Sequence, residues 1–174
     1  RLVFNQRGDT DLARFQDSSF FPGTPVVVLH GDRSGDWVFV VGEFYAAWMT
    51  TEAVAIGERR IVLGYGRREP SLIVTGPQVR TMPSPAEPTL SELVLDMGVR
   101  VPLLPDQGDG VVIELPVRTP GGGLRIAPSM LPRFSDVSMA PLEYTRGVLI
   151  RQAFKLFGER YGCGHAHGAP DCRG

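Results

Sequence analysis

The last fourteen residues of the chain, YGCGHAHGAPDCRG, hold both of its cysteines and two of its three histidines. A thiolate is a nucleophile as well as a metal ligand, and imidazole is a common ligand of zinc. A glycine-rich loop commonly exposes a nucleophilic cysteine, and the dipole of a following helix stabilises its thiolate. The segment around Cys172 therefore indicates either a nucleophilic cysteine or a metal site.

A zinc site is one alternative, because Cys163, His165, His167 and Cys172 offer four ligands that suit this metal. Their spacing is not one of the familiar zinc patterns, so we predict that no metal and no cofactor binds here. Two further alternatives remain open. The two cysteines can form a disulfide, or the segment has no function and the rest of the chain acts alone.

The composition is that of an ordinary globular protein, with 174 residues, 43% of them hydrophobic, and 18 Lys and Arg against 19 Asp and Glu. A formal net charge of -1 provides no basic surface for nucleic acid or for an anionic membrane. No apolar run approaches the roughly 20 residues that a membrane-spanning helix needs, and no secretory leader opens the chain. We therefore predict no nucleic-acid partner and no membrane span.

Short segments rich in β-branched and aromatic residues, separated by glycine and proline, indicate a mainly β fold. The segments GDRSG, DQGDG and TPGGG between them are typical of hairpin turns in small antiparallel barrels. The triple glycine is a turn and not a phosphate-binding loop, because no helix follows it. The predicted strands lie within residues 24–30, 36–44, 71–76, 92–104, 110–118 and 123–131.

Changes of composition divide the chain into three parts. The polar segment 57–71, GERRIVLGYGRREPS, indicates a joint between two small β domains, residues 1–62 and 63–134. The proline-rich segment 82–92 is predicted to be a long loop inside the second domain. Residues 135–174 are predicted to begin a further domain, and a start at Arg1 with an end directly after the cysteine motif leads us to expect a piece of a longer protein.

One amphipathic helix is predicted in LEYTRGVLIRQAFKLFGERYG, residues 142–162, where apolar residues recur at helical spacing. Thr145 suits the N-cap, since its hydroxyl can accept an unpaired backbone N–H, and Gly158 suits the C-terminal stop. Aromatic residues upstream have a structural interpretation. We expect Trp37 and Trp48 in the barrel core or in cleft walls, and His30 as a hydrogen-bonded surface histidine.

At its end the sequence resembles the NlpC-type cell-wall cysteine peptidases, which are papain-like. Their domain opens with a helix, then a segment of the form Tyr-x-Trp-Gly-Gly, a glycine-rich loop and Asp-Cys-Ser-Gly. The chain departs from this pattern at Cys163, His165 and Arg173, which stand where the family has tryptophan, glycine and serine. The residues that match the pattern are Tyr161, Gly164, Asp171, Cys172 and Gly174.

The resemblance extends upstream, to family members with two bacterial SH3-like domains before the peptidase. FFPGTPVVVLHGDRSGDWVFVVGEFYAAWMTTEAVAI looks like their first domain, and MGVRVPLLPDQGDGVVIELPVRTPGGGLRIAPSML looks like their second. The fold that this implies is mainly β. It consists of two SH3-like β barrels, followed by the first helix and cysteine loop of an incomplete papain-like α+β peptidase domain.

The resemblance also implies a reaction, the hydrolysis of peptidoglycan stem peptides between γ-D-glutamate and a diamino acid. Cys172 would be the nucleophile, Asp171 would receive the free α-amine of L-alanine, and Tyr161 would line the same pocket. Tyr45 matches the aromatic residue with which the first SH3-like domain closes one end of the cleft. Arg173 would place a cation beside the thiol, where it can lower the thiol pKa and repel the substrate ammonium.

In the family the catalytic base and its orienting residue come from strands that follow the cysteine helix, and this chain has no such strands. His165 and His167 precede the nucleophile in its own loop, so we assign neither as the base, and we expect the chain alone to be inactive. The non-enzymatic alternative is an SH3-like module that binds the cell wall. Both alternatives place the protein in the bacterial cell envelope or periplasm, and the oligomeric state stays open.

Overall fold

The computed structural model describes residues 19–105 and 110–158. The first strands of the described chain are β1 (Val27–Gly31), β2 (Trp37–Val41) and β3 (Ala46–Thr50), which form an antiparallel sheet in the order β1-β2-β3. In the pairing of β1 with β2 the register shifts between Val28 and His30. Aliphatic side chains line one face of this sheet, where Val40 is fully buried.

A short connection leads from this sheet to the rest of the molecule. It consists of a 3₁₀ turn (Thr51–Ala53), an extended stretch and the helix α1 (Arg59–Tyr65). The extended stretch forms an isolated parallel bridge between Ile56 and Gly123, a residue of a turn further along the chain. The predicted joint at 57–71 therefore contains a helix, and the predicted boundary between residues 62 and 63 falls inside α1.

The second part of the described chain contains seven strands around one apolar core. In chain order they are β4 (Ser71–Val74), β5 (Gln78–Arg80), β6 (Val94–Asp96), β7 (Arg100–Pro102), β8 (Val111–Arg118), β9 (Leu124–Leu131) and β10 (Val137–Met139). They pair antiparallel as β10-β4-β7, β5-β6 and β8-β9. Backbone hydrogen bonds also link the sheets to one another around the core. For example, Met82 N, just after β5, donates to Met130 O on β9 at 2.7 Å. Its fully buried members include Leu95, Val101, Ile113, Leu115 and Leu131.

The helix α2 (Arg146–Lys155) follows β10. The hydroxyl of Thr145 accepts a hydrogen bond from Val148 N at 3.2 Å, which confirms the predicted N-cap. The helix ends at Lys155, and bonds from Leu156 N to Ala153 O and from Phe157 N to Phe154 O continue the turn up to Gly158, whose φ of 93° ends it at the predicted stop. Lys155 Nζ binds both carboxylate oxygens of Asp136, at 2.7 and 2.8 Å, and so holds the end of α2 against the start of β10.

The predicted mainly β class is confirmed, and each predicted strand segment contains at least one observed strand. The turn at residues 119–123 joins β8 to β9, as the triple glycine predicted. The loop 82–92 connects β5 to β6, which pair directly with each other. The division into domains at residues 62 and 134 stays a prediction, although β10 lies beyond the second boundary and pairs with β4. In the described part of the chain no helix is long and apolar enough to cross a membrane.

Candidate functional site

Four of the five predicted site residues lie outside the described residues. They are Tyr161, Asp171, Cys172 and Arg173, and the alternative zinc ligands belong to the same segment. Their roles stay predictions. Within residues 19–105 and 110–158 no group of three His, Cys, Asp or Glu side chains is close enough to hold a metal ion. The candidate site that the structure does describe is built on Tyr45 and the sheet beside it.

Tyr45 lies at the end of the four-residue connection between β2 and β3. This connection is a tight turn, closed by a hydrogen bond from Gly42 N to Tyr45 O at 2.9 Å. The ring of Tyr45 stacks on the ring of Phe20, with centroids 4.3 Å apart and planes inclined by 16°. A Cβ at position 42 would lie 2.5 Å from Cε1 of Phe20, so the stack requires glycine there. Phe20 and Gly42 together fix the position of the Tyr45 ring.

The hydroxyl of Tyr45 is buried and has no hydrogen-bond partner among the described residues. A buried phenol normally finds a partner, because leaving a polar group without one costs free energy. The ring is half-buried, and Phe20 covers one of its faces. Such a ring can form part of the wall of a binding cleft. Tyr45 therefore offers an aromatic surface of fixed position, whereas its hydroxyl lies buried, away from a ligand on that surface.

A second group of rings lies on the outer face of the same sheet. Phe39 on β2 pairs with Trp48 on β3 and with His30 on β1, so these three residues form one row across the strands. The ring centroid of His30 lies 5.5 Å from that of Phe39 and 5.1 Å from that of Trp48, and Phe39 and Trp48 are 5.5 Å apart. Trp37 precedes Phe39 by two residues on β2 and shares its face. We call these four residues the aromatic face.

The two tryptophans are too exposed to be core residues. Trp37 is 41% exposed and Trp48 is 48% exposed, so the expectation of a core position is wrong, and a position on a surface wall is the one that remains. The sequence did contain a signal for this. In β2 and β3 the rings occupy alternate positions, and the buried Val40 belongs to the opposite set.

An acidic turn borders the aromatic face where β1 passes into β2. Asp32 accepts hydrogen bonds from the Ser34 hydroxyl at 2.7 Å, from Gly35 N at 2.8 Å and from Trp37 N at 3.2 Å. The Ser34 hydroxyl and, to a smaller extent, the backbone N–H groups hold the pKa of the Asp32 carboxyl below its usual value. Asp36 reaches the same hydroxyl at 2.9 Å. The turn therefore keeps Asp32 ionised beside Trp37.

The segment that leaves the sheet of β1, β2 and β3 is held against the β8–β9 hairpin. Arg118 Nε donates to Val54 O at 3.1 Å, and Leu124 N donates to Ile56 O at 2.7 Å. The side chain of Leu124 covers Gly57, where a Cβ would lie 2.7 Å from Leu124 Cδ2. These contacts fix the orientation of the segment that leaves the sheet.

Comparisons with known proteins agree with this architecture. Residues 3–50 match the family model described as SH3 domain (SH3b1 type), which includes β1, β2 and β3. The fold is similar to a solved structure of a novel NlpC/P60 endopeptidase from Photobacterium damselae subsp. piscicida, with a TM-score of 0.69 and 17% sequence identity. The match covers 84% of this chain and 30% of that one, so the chain spans less than a third of the length of that structure. No curated protein sequence matches the chain.

The class that these observations define is a mainly β protein with an SH3b1-type domain. The expected SH3-like domain is matched at residues 3–50, and the fold over most of the chain is similar to that of an NlpC/P60 endopeptidase.

Proposed function

We propose that the protein is a bacterial cell-wall hydrolase of the NlpC type, which cleaves peptidoglycan stem peptides between γ-D-glutamate and a diamino acid. The observation that carries this proposal is the shared fold. It extends over 84% of the chain, and the relative is described as an NlpC/P60 endopeptidase. The Asp-Cys sequence at 171–172 follows the matched β domains and α2 in the order that the family resemblance implies.

In this proposal Cys172 is the nucleophile. Its thiolate attacks the carbonyl carbon of the scissile amide, and a thioester forms as the amine of the diamino acid leaves with a proton. Water then hydrolyses the thioester and releases the thiol. A base must hold the thiolate and deliver the proton, and none of the described or predicted residues is assigned to that step.

The other site residues act on substrate position. The Asp171 carboxylate binds the α-ammonium of L-alanine, and Tyr161 lines that pocket. Tyr45 closes one end of the cleft with the ring that Phe20 holds in place. Arg173 adds a positive charge beside the thiol, which favours the thiolate.

A matched pair of variants tests the nucleophile. In the natural full-length gene product, Cys172→Ala should abolish hydrolysis of L-Ala-γ-D-Glu-diamino acid peptides, whereas Cys163→Ala should retain it. Iodoacetamide at neutral pH should alkylate Cys172 before Cys163, because the thiolate is the reactive form. Full activity of Cys172→Ala, or equal labelling of the two thiols, would remove the proposal.

The isolated 174-residue chain provides a second test, because it contains no assigned base. We expect it to show no turnover of stem peptides. Turnover that disappears with Cys172→Ala would contradict this and would make His165 or His167 the candidate local base.

A wall-binding module without catalysis is the second candidate function. The observation that favours it is the exposure of the aromatic face on the SH3b1-type domain, because exposed aromatic patches mark interaction surfaces. Peptidoglycan pull-down by the full-length protein, with no hydrolysis in either the unmodified protein or Cys172→Ala, would decide for the module. Both functions place the protein in the bacterial cell envelope.

The zinc site remains testable beside them. It predicts about one equivalent of zinc in the purified protein and a loss of thermal stability on chelation. Metal-free protein with an unchanged melting temperature excludes it.

A further inference from the structure

In the sheet of β1, β2 and β3 the aromatic rings lie on one face and the buried side chains lie on the opposite face. On the inner face of β2 and β3 the side chains are Val38, Val40, Ala47 and Met49, all aliphatic or thioether and all at least half-buried. An antiparallel sheet with one solvated face normally presents polar side chains there. Here the solvated face presents Trp37, Phe39 and Trp48, which indicates a binding surface.

Most of the charged side chains in the described segment that carries this face are negative. Residues 19–58 contain five acidic side chains, Asp32, Asp36, Glu43, Glu52 and Glu58, and one basic side chain, Arg33, a net charge of -4 (1 minus 5). The whole chain carries only -1. The first part is therefore much more acidic than the rest, and its field attracts cations.

These acidic residues lie at both ends of the strands that carry the rings. Asp32 and Asp36 belong to the turn before β2, Glu43 belongs to the turn between β2 and β3, and Glu52 follows β3. Glu43 and Glu52 are exposed. A ligand that lies on the aromatic face thus has a carboxylate near it at either end.

We propose that the aromatic face binds ammonium groups of peptides, and that its ligand is the free side-chain amine of the diamino acid in uncross-linked stem peptides. The proposal rests on the proposed function for the source of the peptide. An amine is protonated at neutral pH, and an ammonium is attracted both to ring faces and to nearby carboxylates. Acylation of the same amine, as in a cross-link, removes the charge. The face therefore distinguishes uncross-linked from cross-linked wall.

Neutral and anionic ligands fit the surface less well. A neutral glycan can stack on the rings, but it gains nothing from the surrounding carboxylates. An anionic polymer without ammonium groups is only repelled by the net charge of this part of the chain. The combination of rings and acidic residues is what favours an ammonium group, also on a peptide that carries carboxylates elsewhere.

The test uses two tetrapeptides that differ by one acetyl group. The probe is N-acetyl-L-Ala-γ-D-Glu-L-Lys-D-Ala, whose blocked α-amine keeps it from the subsite proposed for Asp171. The control peptide is the same molecule with its lysine amine acetylated. Binding is measured by calorimetry on the 174-residue chain carrying Cys172→Ala. We expect the free-amine peptide to bind about fivefold more tightly than the acetylated control, the effect of one exposed cation–π contact with charge support, and we expect this ratio to fall as salt is added.

Variants locate the binding on the aromatic face. Trp48→Ala should weaken the free-amine peptide by about fivefold, and Trp48→Phe, which keeps a ring, should retain most of the affinity. Glu43→Gln with Glu52→Gln should reduce the preference for the free-amine peptide over the acetylated control and flatten the salt dependence of that preference. Met49→Leu changes the inner face of the same strand and should leave binding unchanged.

Several outcomes would overturn the proposal. Equal affinity for the two peptides would exclude ammonium recognition, and affinity that survives Trp48→Ala would place the peptide elsewhere. Stronger binding of a chito-oligosaccharide with the same dependence on Trp48 would assign the face to glycan. If Trp48→Ala fails to fold, acrylamide quenching of tryptophan fluorescence in the unmodified chain provides the test. Tryptophans that acrylamide reaches, and that the free-amine peptide protects, would support the proposal. Tryptophans shielded from acrylamide without peptide would show that the face is covered within the protein and would overturn it. None of these results depends on turnover, which is measured separately on the full-length protein.

Discussion

The hydroxyl of Tyr65 donates a hydrogen bond to the backbone carbonyl of Glu114 at 2.8 Å and thereby ties the end of α1 to the middle of β8. Val112, two residues earlier on β8, accepts a similar bond from Leu104 N at 2.9 Å. The bridge between Leu103 and Ile113 continues in register to place Pro102 opposite Glu114. Proline has no N–H to donate, so the tyrosine supplies the donor that the strand lacks.

Tyr65→Phe removes this donor and should destabilise the protein by about 1–2 kcal/mol, the cost of a part-buried carbonyl left without a partner. The ring of Tyr65 is 4% exposed and would remain in place, so packing is preserved. Chemical denaturation measures the change. Tyr144→Phe is the matched control, because Tyr144 is 90% exposed and loses only a solvated hydroxyl. Equal effects of the two variants would show that the bond to Glu114 contributes nothing.

The sequence predicts the long strands better than the elements that tie them together. The segment 110–118 is dense in β-branched residues and a glycine turn separates it from the apolar segment 123–131, and the two form β8 and β9 as expected. The strands β5 and β10 have three residues each, which is too short for an alternating hydrophobic pattern. They are defined by their pairing, β5 with β6 and β10 with β4. The helix α1 was missed for a similar reason, since seven residues with a glycine and two arginines show no clear amphipathic period.

The sequence predicted single residues of the candidate site but not the contacts between them. Resemblance pointed to Tyr45, but its stack on Phe20 joins residues 25 positions apart, and no local pattern predicts that contact. The aromatic face was partly visible as alternating rings in β2 and β3. The row that adds His30 depends on the shifted register of β1, which only the folded sheet reveals.

The contact of Gly57 with Leu124 should be sensitive to one added methyl group. In Gly57→Ala the new Cβ would lie 2.7 Å from Leu124 Cδ2 and 2.9 Å from its Cβ, so the segment must move away from the β8–β9 hairpin. We expect a loss of about 1–3 kcal/mol, typical of overpacking. Gly64→Ala in α1 is the control, since nothing lies within 4 Å of the added atom. It should stabilise the helix by about 0.5–1 kcal/mol. A tolerated Gly57→Ala would mean that this contact does not fix the segment.

The ion pair of Lys155 with Asp136 should make stability depend on pH in the acid range. Hydrogen bonds from Lys155 and from Thr75 hold the pKa of the Asp136 carboxyl below its usual value. A carboxyl with a lowered pKa in the folded state stabilises the fold above its unfolded pKa, which is about 4, and loses that effect as pH falls through the folded value. The side chain of Asp136 is 50% exposed, so the effect is small and screened by salt.

Asp136→Asn should therefore melt below the unmodified protein at pH 7, and the difference should shrink as pH falls below about 4. Lys155→Met should follow the same course, because it removes the other partner. Calorimetric melting curves of the three proteins at pH 7, 5 and 3 measure this. A difference that stays constant over this range would show that the carboxyl charge is not what stabilises the end of α2.

The ring of Tyr45 should matter to the ligand, and its buried hydroxyl should not stabilise the fold. It is buried without a partner among the described residues, so Tyr45→Phe should leave the free energy of unfolding unchanged or raise it by up to about 1 kcal/mol. Phe20→Ala is the contrasting variant. It removes the ring that stacks on Tyr45 at 4.3 Å and should cost about 1–3 kcal/mol. If the ring of Tyr45 closes the cleft as proposed, Tyr45→Phe in the full-length protein retains kcat/KM for stem peptides, whereas Tyr45→Ala lowers it. A fall in melting temperature of Tyr45→Phe comparable to that of Phe20→Ala would instead make the hydroxyl a structural group, and an unchanged kcat/KM in Tyr45→Ala would remove Tyr45 from the site.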